Sequence, residues 1–133
     1  FFDLGRRLIL VDLPGYGYAK VSKTQVAAWT RTLKSFLRGR VALRRVCLLI
    51  DSRVGLKDLD RDMMEMLDAA AVVYQVVLTK VDKLKSDELE TTMSTISNEL
   101  AKRSAAHPML ALTSSSKSLG IRELRAGLAS LTD

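Results

Sequence analysis

Two kinds of apolar spacing alternate along this chain. Short, mostly apolar runs at residues 7–11, 46–50, 72–78 and 108–113 have the length and aliphatic content of strands, most of them covered on both faces. Elsewhere apolar residues recur every three or four positions: Val26, Trp29, Leu33, Phe36 and Leu37; Leu59, Met63, Met66, Leu67 and Ala70; Leu89, Met93, Ile96 and Leu100; Ile121, Leu124, Leu128 and Leu131. These spacings predict helices. Their starts are marked by Ser22 with Gln25 as a capping box, by Asp58 as a cap, by Ser86 with Asp87 and Glu88 in the first turn, and by Gly120 ahead of the last. Phe1 and Phe2 read as the end of another strand, which turns through Leu4, Gly5 and Arg6 into the run at 7–11. Strand-then-helix units in strict alternation predict an α/β fold, with a mostly parallel sheet between two layers of helices.

Composition sets the scale without changing that picture. The 133 residues suffice for one domain with its own core, and 47% hydrophobic with 27% charged content is the balance of a soluble globular protein. No apolar run approaches the roughly 18 residues of a membrane span, so no membrane partner is expected. A single cysteine, Cys47, excludes an internal disulfide framework, fits a reducing compartment and reads as a small core residue. The lone His107, just before Pro108, reads as a surface or turn residue.

Charge does change the picture, because it is uneven. Up to residue 50 there are ten Lys or Arg against two acids, and beyond it eleven against thirteen, within a net charge of +6. Lys20, Lys23, Arg31, Lys34, Arg38, Arg40, Arg44 and Arg45 fill an interval with no acid at all, which makes them a candidate RNA contact. The alternating acids Asp58, Asp60 and Asp62 mimic a calcium loop. That reading fails, because Met63 stands where the loop needs Gly and Ala69 where it needs Glu.

The candidate chemistry lies where the predicted strands end, the usual ligand edge of an open α/β sheet. The first ends in Val11-Asp12-Leu13-Pro14-Gly15-Tyr16-Gly17-Tyr18-Ala19-Lys20, where a carboxylate precedes a turn that forbids regular structure. Asp-x-x-Gly there can bring a carboxylate near a metal and a backbone amide near a phosphate. The run at 46–50 ends in Asp51, again an acid. The run at 72–78 continues into Thr79-Lys80-Val81-Asp82. A carboxylate at Asp82 can accept two parallel hydrogen bonds from the N1–H and exocyclic amine of guanine, a pair adenine lacks, while the Lys80 stem can lie over the ring. Thr113-Ser114-Ser115, one strand further on, can offer an amide to the guanine carbonyl.

In this order the motifs resemble the EngB/YihA family of GTP-binding proteins, within the TrmE-Era-EngA-EngB-Septin-like class. Leu48-Leu49-Ile50-Asp51-Ser52-Arg53-Val54-Gly55-Leu56 also fits, so the resemblance runs over the whole chain. It implies a Ras-like P-loop GTPase fold in three layers, of which residues 1–133 are a partial, N-terminally truncated G domain from the end of the second strand to the C-terminal helix. It implies GTP or GDP as ligand with Mg2+ as cofactor. Asp12 would order magnesium through water; Asp12, Leu13, Pro14 and Gly15 would face the phosphates; Thr79, Lys80, Val81 and Asp82 with Thr113, Ser114 and Ser115 would form the base pocket. It further implies a cytoplasmic switch in assembly of the large ribosomal subunit, in contact with that subunit or its rRNA, with a role in cell division and septation. A mitochondrial matrix protein is the alternative for localisation.

Two departures qualify these expectations. No Gly-x-x-x-x-Gly-Lys-Ser/Thr occurs in the chain, and the family places that phosphate loop ahead of this chain's first residue, Phe1. The 133 residues are therefore expected to be a fragment or the visible part of a longer chain, inactive alone, with the longer protein a GTPase. The alternative is a non-catalytic RNA-binding or ribosome-assembly module that retains the guanine pocket. Tyr16 stands where a Ras-type enzyme has a water-positioning Gln, so slow intrinsic hydrolysis is expected, with a partner or monovalent cation speeding it.

Overall fold

The structure is a computed structural model that describes residues 2–4, 8–10, 27, 31, 45–114, 117 and 119–132. Asp12, Leu13, Pro14, Gly15, Tyr16, Ser115 and the cations Lys20, Lys23, Lys34, Arg38, Arg40 and Arg44 lie outside them, as does most of the helix predicted after Ser22. Within that stretch Ala27 and Arg31, one turn apart, are helical and exposed. The chain divides into two compact units, meeting between Leu43 and Arg44.

The first unit contains an antiparallel pair, β1 (Phe2–Leu4) and β2 (Leu8–Leu10), in the register Phe2 to Leu10 and Leu4 to Leu8. This is the hairpin read from the opening residues.

The second unit is a parallel three-stranded sheet with helical crossovers. Its elements are β3 (Val46–Asp51), α1 (Asp58–Ala69), β4 (Tyr74–Thr79), α2 (Ser86–Leu100), β5 (Ala111–Leu112) and α3 (Ile121–Ala129), in the sheet order β3-β4-β5. Alternation puts Leu48 and Ile50 on the same face as Val76 and Leu78, in register. All four are buried, and Met63, Met64 and Leu67 of α1 with Ile96 and Leu100 of α2 complete the apolar core. The central strand β4 is buried along nearly its whole length, its one buried polar residue, Gln75, being hydrogen-bonded to Arg45 and to the Met109 carbonyl. Among the described residues β3 pairs only with β4, and Leu49, on the face opposite Leu48 and Ile50, is 66% exposed.

The predicted boundaries shift for local reasons. Asp58 is the first helical residue rather than the cap. The cap position belongs to Lys57, whose N–H is satisfied by Asp60 Oδ2 at 2.8 Å. Lys85 takes the same place before α2, donating its N–H to Glu88 at 3.1 Å. Strand β4 starts at Tyr74 rather than residue 72 because α1 ends in a Schellman turn, with Ala71 at φ 55° and Val72 N–H bonded to the Leu67 carbonyl at 3.0 Å. Pro108 cannot donate to a ladder and Met109 turns its N–H to His107 Nδ1 at 3.2 Å, so β5 is shorter than its apolar run.

A polar cluster locks the amino end of β4. Asp68 accepts hydrogen bonds from the Tyr74 hydroxyl at 3.2 Å and the Ala105 N–H at 2.9 Å, and pairs with Arg103 at 3.4 Å. Arg103 and Arg61 both reach Glu99, at 3.3 and 2.9 Å. Burial, with Asp68 beside it, pushes the Tyr74 phenol well above its ordinary range. Glu99 is pulled the other way: burial favours its neutral form, but hydrogen bonds from Arg61 and Arg103 outweigh that and hold its carboxyl below the usual glutamate value.

Candidate functional site

At the opposite end of β4 the chain makes a sharp exit. Lys80 adopts the left-handed conformation at φ 57° and ψ 35°, and a 3-10 turn, Val81–Lys83, follows at once. A non-glycine residue in that region is uncommon and marks a place where the surroundings fix the backbone. Those surroundings are the ends of the neighbouring strands. The Thr79 carbonyl accepts the Ser52 N–H at 3.0 Å, and the Thr79 hydroxyl donates to the Ile50 carbonyl at 3.3 Å. On the other side, Val81 N–H reaches the Thr113 carbonyl at 3.2 Å, and Thr113 returns both its N–H and its hydroxyl to the Leu78 carbonyl at 2.8 and 2.9 Å.

These ties bring Asp82 and Ser114 together although 32 positions separate them. The Ser114 hydroxyl donates to Asp82 Oδ1 at 2.5 Å and accepts the Lys117 N–H at 3.3 Å. Ser114 is buried, and the Asp82 side chain is only 9% exposed. The loop after β5 is closed by two 3.0 Å bonds between Ser114 and Leu119, and Gly120 follows at φ 70°. A Cβ at Gly120 would overlap the Leu112 carbonyl oxygen, so only glycine lets α3 begin this close to β5.

Electrostatically the edge is a set of alternating charges. Asp51, at the end of β3, pairs with Lys80 at 3.5 Å and with Arg53 at 2.8 Å. Hydrogen bonds from Arg53 hold the Asp51 carboxyl well below the usual carboxylate range, with Lys80 adding to the effect. Lys83 lies 3.8 Å from Asp82 Oδ2. The arrangement offers a carboxylate whose orientation is fixed by Ser114, beside a lysine stem that is half exposed. An ionised carboxylate is an acceptor-only group, the type that can meet a pair of parallel N–H donors.

Of the residues expected at the site, Thr79, Lys80, Val81, Asp82, Thr113 and Ser114 converge on one edge. Arg45, expected in the basic patch, is half-buried with its guanidinium on Gln75 at 2.9 Å, while Gln75 reaches the Met109 carbonyl at 3.2 Å. Arg31 is exposed. Cys47 is half-buried, and burial raises its thiol pKa. Among the described residues no group of three metal-ligating side chains occurs, and no helix is long and apolar enough to cross a membrane. The link from Asp51 to Lys80 was missed by motif reading, because it exists only through the β3–β4 register that sets Asp51 opposite Thr79.

The parallel sheet with its helical crossovers is similar to the P-loop GTPase fold. Translation elongation factor SelB from Methanococcus maripaludis, in its apo form, superposes on 92% of the chain with a TM-score of 0.69 at 20% identity, over 24% of its own length. The same factor in complex with the GTP analogue GppNHp covers 77% of the chain with a TM-score of 0.61 at 18% identity, over 23% of its length. No protein-family model matches the chain. A protein from Hyphomonas neptunium named probable GTP-binding protein EngB is 58% identical over 98% of the chain and 61% of its own length. One of the same name from Rhodospirillum rubrum is 57% identical over 93% of the chain and 54% of its length, and one from Rhodopseudomonas palustris is 51% identical over 100% and 62%. The chain belongs to the EngB family, and spans little more than half the length of the relatives it matches.

Proposed function

We propose that the full-length protein binds guanine nucleotide through this edge. Asp82 reads the N1–H and exocyclic amine of guanine, Lys80 lays its stem over the ring, Ser114 and Ser115 close the base pocket, and Thr79, Val81 and Thr113 hold the backbone in place. The observation that carries the reading is the Ser114 hydroxyl on Asp82 at 2.5 Å, which joins the ends of two strands at one carboxylate. The names of the EngB relatives support it. On the phosphate side, Asp12 with Leu13, Pro14 and Gly15 serves the terminal phosphate, and Asp12 orders Mg2+ through water; the ion supplies charge neutralisation between the phosphates. The protein then acts as a GTPase switch in assembly of the large ribosomal subunit in the bacterial cytoplasm, and its loss affects cell division and septation.

Calorimetric titration of the full-length protein tests the base pocket. Wild type is expected to bind GDP and reject ADP, and Asp82→Ala to lose about a hundredfold or more in GDP affinity, since two charge-assisted hydrogen bonds go. Equal affinity for GDP and ADP would contradict the reading. The basic interval from Lys20 to Arg45 is proposed as the rRNA contact, with Arg31 its exposed described member. Binding to large-subunit rRNA should weaken about a hundredfold between roughly 50 and 200 mM salt if about four phosphates are contacted. A flat salt response would remove this part of the proposal.

A further inference from the structure

Lys80 is held at both ends of its side chain. Its backbone is fixed in the left-handed region by the ties of Thr79 to β3 and of Val81 to Thr113. Its ammonium lies 3.5 Å from Asp51 Oδ2. Asp51 is itself immobilised, because Arg53 grips it three times: N–H and Nε on Oδ1 at 3.0 and 3.1 Å, and Nη2 on Oδ2 at 2.8 Å. Two further backbone bonds, from Val54 and Gly55 to the Asp51 carbonyl at 3.0 Å each, close the turn that returns Arg53 onto the carboxylate. A planar fork against a carboxylate is a rigid contact, whereas a single ammonium on a four-carbon stem is normally free to rotate.

Exposure decides what this chain of contacts is for. The side chains of Arg53 and Lys80 are 48% and 54% exposed, and ion pairs this wet add little to folding stability. Their effect is conformational: a stem already extended along one direction does not have to be ordered when a flat ligand is laid against it. We propose that Asp51 is a positioning residue for the nucleotide base, holding the Lys80 stem in place, with Arg53 as the clamp that orients Asp51. This role rests on the guanine-pocket reading of Lys80 and Asp82. Neither Asp51 nor Arg53 touches the base in this account.

The test uses the full-length protein, GDP as probe, and two variants that break the same link from opposite sides. Asp51→Asn keeps the shape of the side chain and removes its charge; Lys80→Met keeps the stem and removes the ammonium. Each is expected to weaken GDP binding about fivefold, the ceiling for an exposed pair, and the double variant to be no weaker than either single one. The melting temperature of the nucleotide-free protein should stay within about a degree. GDP affinity unchanged in Lys80→Met, or losses that multiply in the double variant, would overturn the positioning role. If Asp82→Ala also binds GDP as wild type does, the guanine-pocket reading has failed. A normal loss in Asp82→Ala beside a silent Lys80→Met sinks the role of Asp51 alone.

Discussion

The two ends of β4 carry two clusters of charge that have opposite designs. At Tyr74, the first residue, Asp68, Glu99, Arg61 and Arg103 pair with one another and with the Ala105 amide, leaving only Nε of the Arg103 guanidinium without a partner, and Asp68 and Arg103 are each less than a fifth exposed. At Thr79, the last residue, the strand opens into Lys80 and Asp82, where one carboxylate is oriented by a serine hydroxyl and a lysine stem stands half in water. Closed networks hold elements together, and breaking one strands a buried charge. At the carboxyl end Lys80 is 54% exposed, while the Asp82 side chain, at 9%, is held as closely as the lock. The amino end is therefore the structural lock, and the carboxyl end of the same six-residue strand is the edge proposed to bind the base.

The largest way to break this contrast is at Gly120, because its backbone seats the loop that presents Ser114. Gly120→Val must relieve both the positive φ and the overlap with the Leu112 carbonyl, and should destabilise the protein by several kcal/mol, about 3 or more, in chemical denaturation. Stability within about 0.5 kcal/mol of wild type would mean that α3 does not start where it is placed here. Next in size is Asp68→Ala at the lock. It leaves the Tyr74 hydroxyl and the Ala105 N–H without their acceptor and Arg103 with Glu99 alone, and should cost about 3 kcal/mol of stability. In material that still folds, GDP affinity should be unchanged. A specific loss of GDP affinity would show the two ends to be coupled rather than separate.

The smallest expected effect is acid sensitivity at the same lock. The folded Glu99 carboxyl titrates below its ordinary value of 4.5, so its contribution is fully present above that pH and is lost as pH falls through the folded value. Glu99→Gln should therefore flatten part of the stability loss seen on acidification below about pH 4.5, while lowering stability at neutral pH. An unchanged acid slope would place the acid-sensitive groups elsewhere.

Much of the fold was legible because its signals are local. Helical spacing located α1, α2 and α3, and the mostly apolar run at 72–78 marked the doubly buried β4. Boundaries were less so: Ala71 adopts a conformation usually left to glycine, and nothing in its side chain announces it. In the candidate site, Asp82 and Ser114 were legible as separate loops, since each is contiguous with the end of a strand. What joins them is a set of backbone bonds between β4 and β5 that no spacing encodes. The Asp51 to Lys80 link and the Asp68 to Arg103 pair likewise span 29 and 35 positions, by subtraction of their residue numbers, and depend on register and packing. Glu99 to Arg103 and Asp58 to Arg61 are by contrast local, four and three positions apart.

The central claim is that Asp82 reads the donor pattern of a guanine base. The most direct measurement exchanges that pattern on both partners. Asp82→Asn in the full-length protein presents an amide donor, which suits the second carbonyl of xanthine and not the exocyclic amine of guanine. Binding measured against GDP and xanthosine diphosphate should reverse in preference, with GDP weakened about a hundredfold or more and the xanthine nucleotide gaining. A variant that keeps the wild-type preference for GDP would contradict the account.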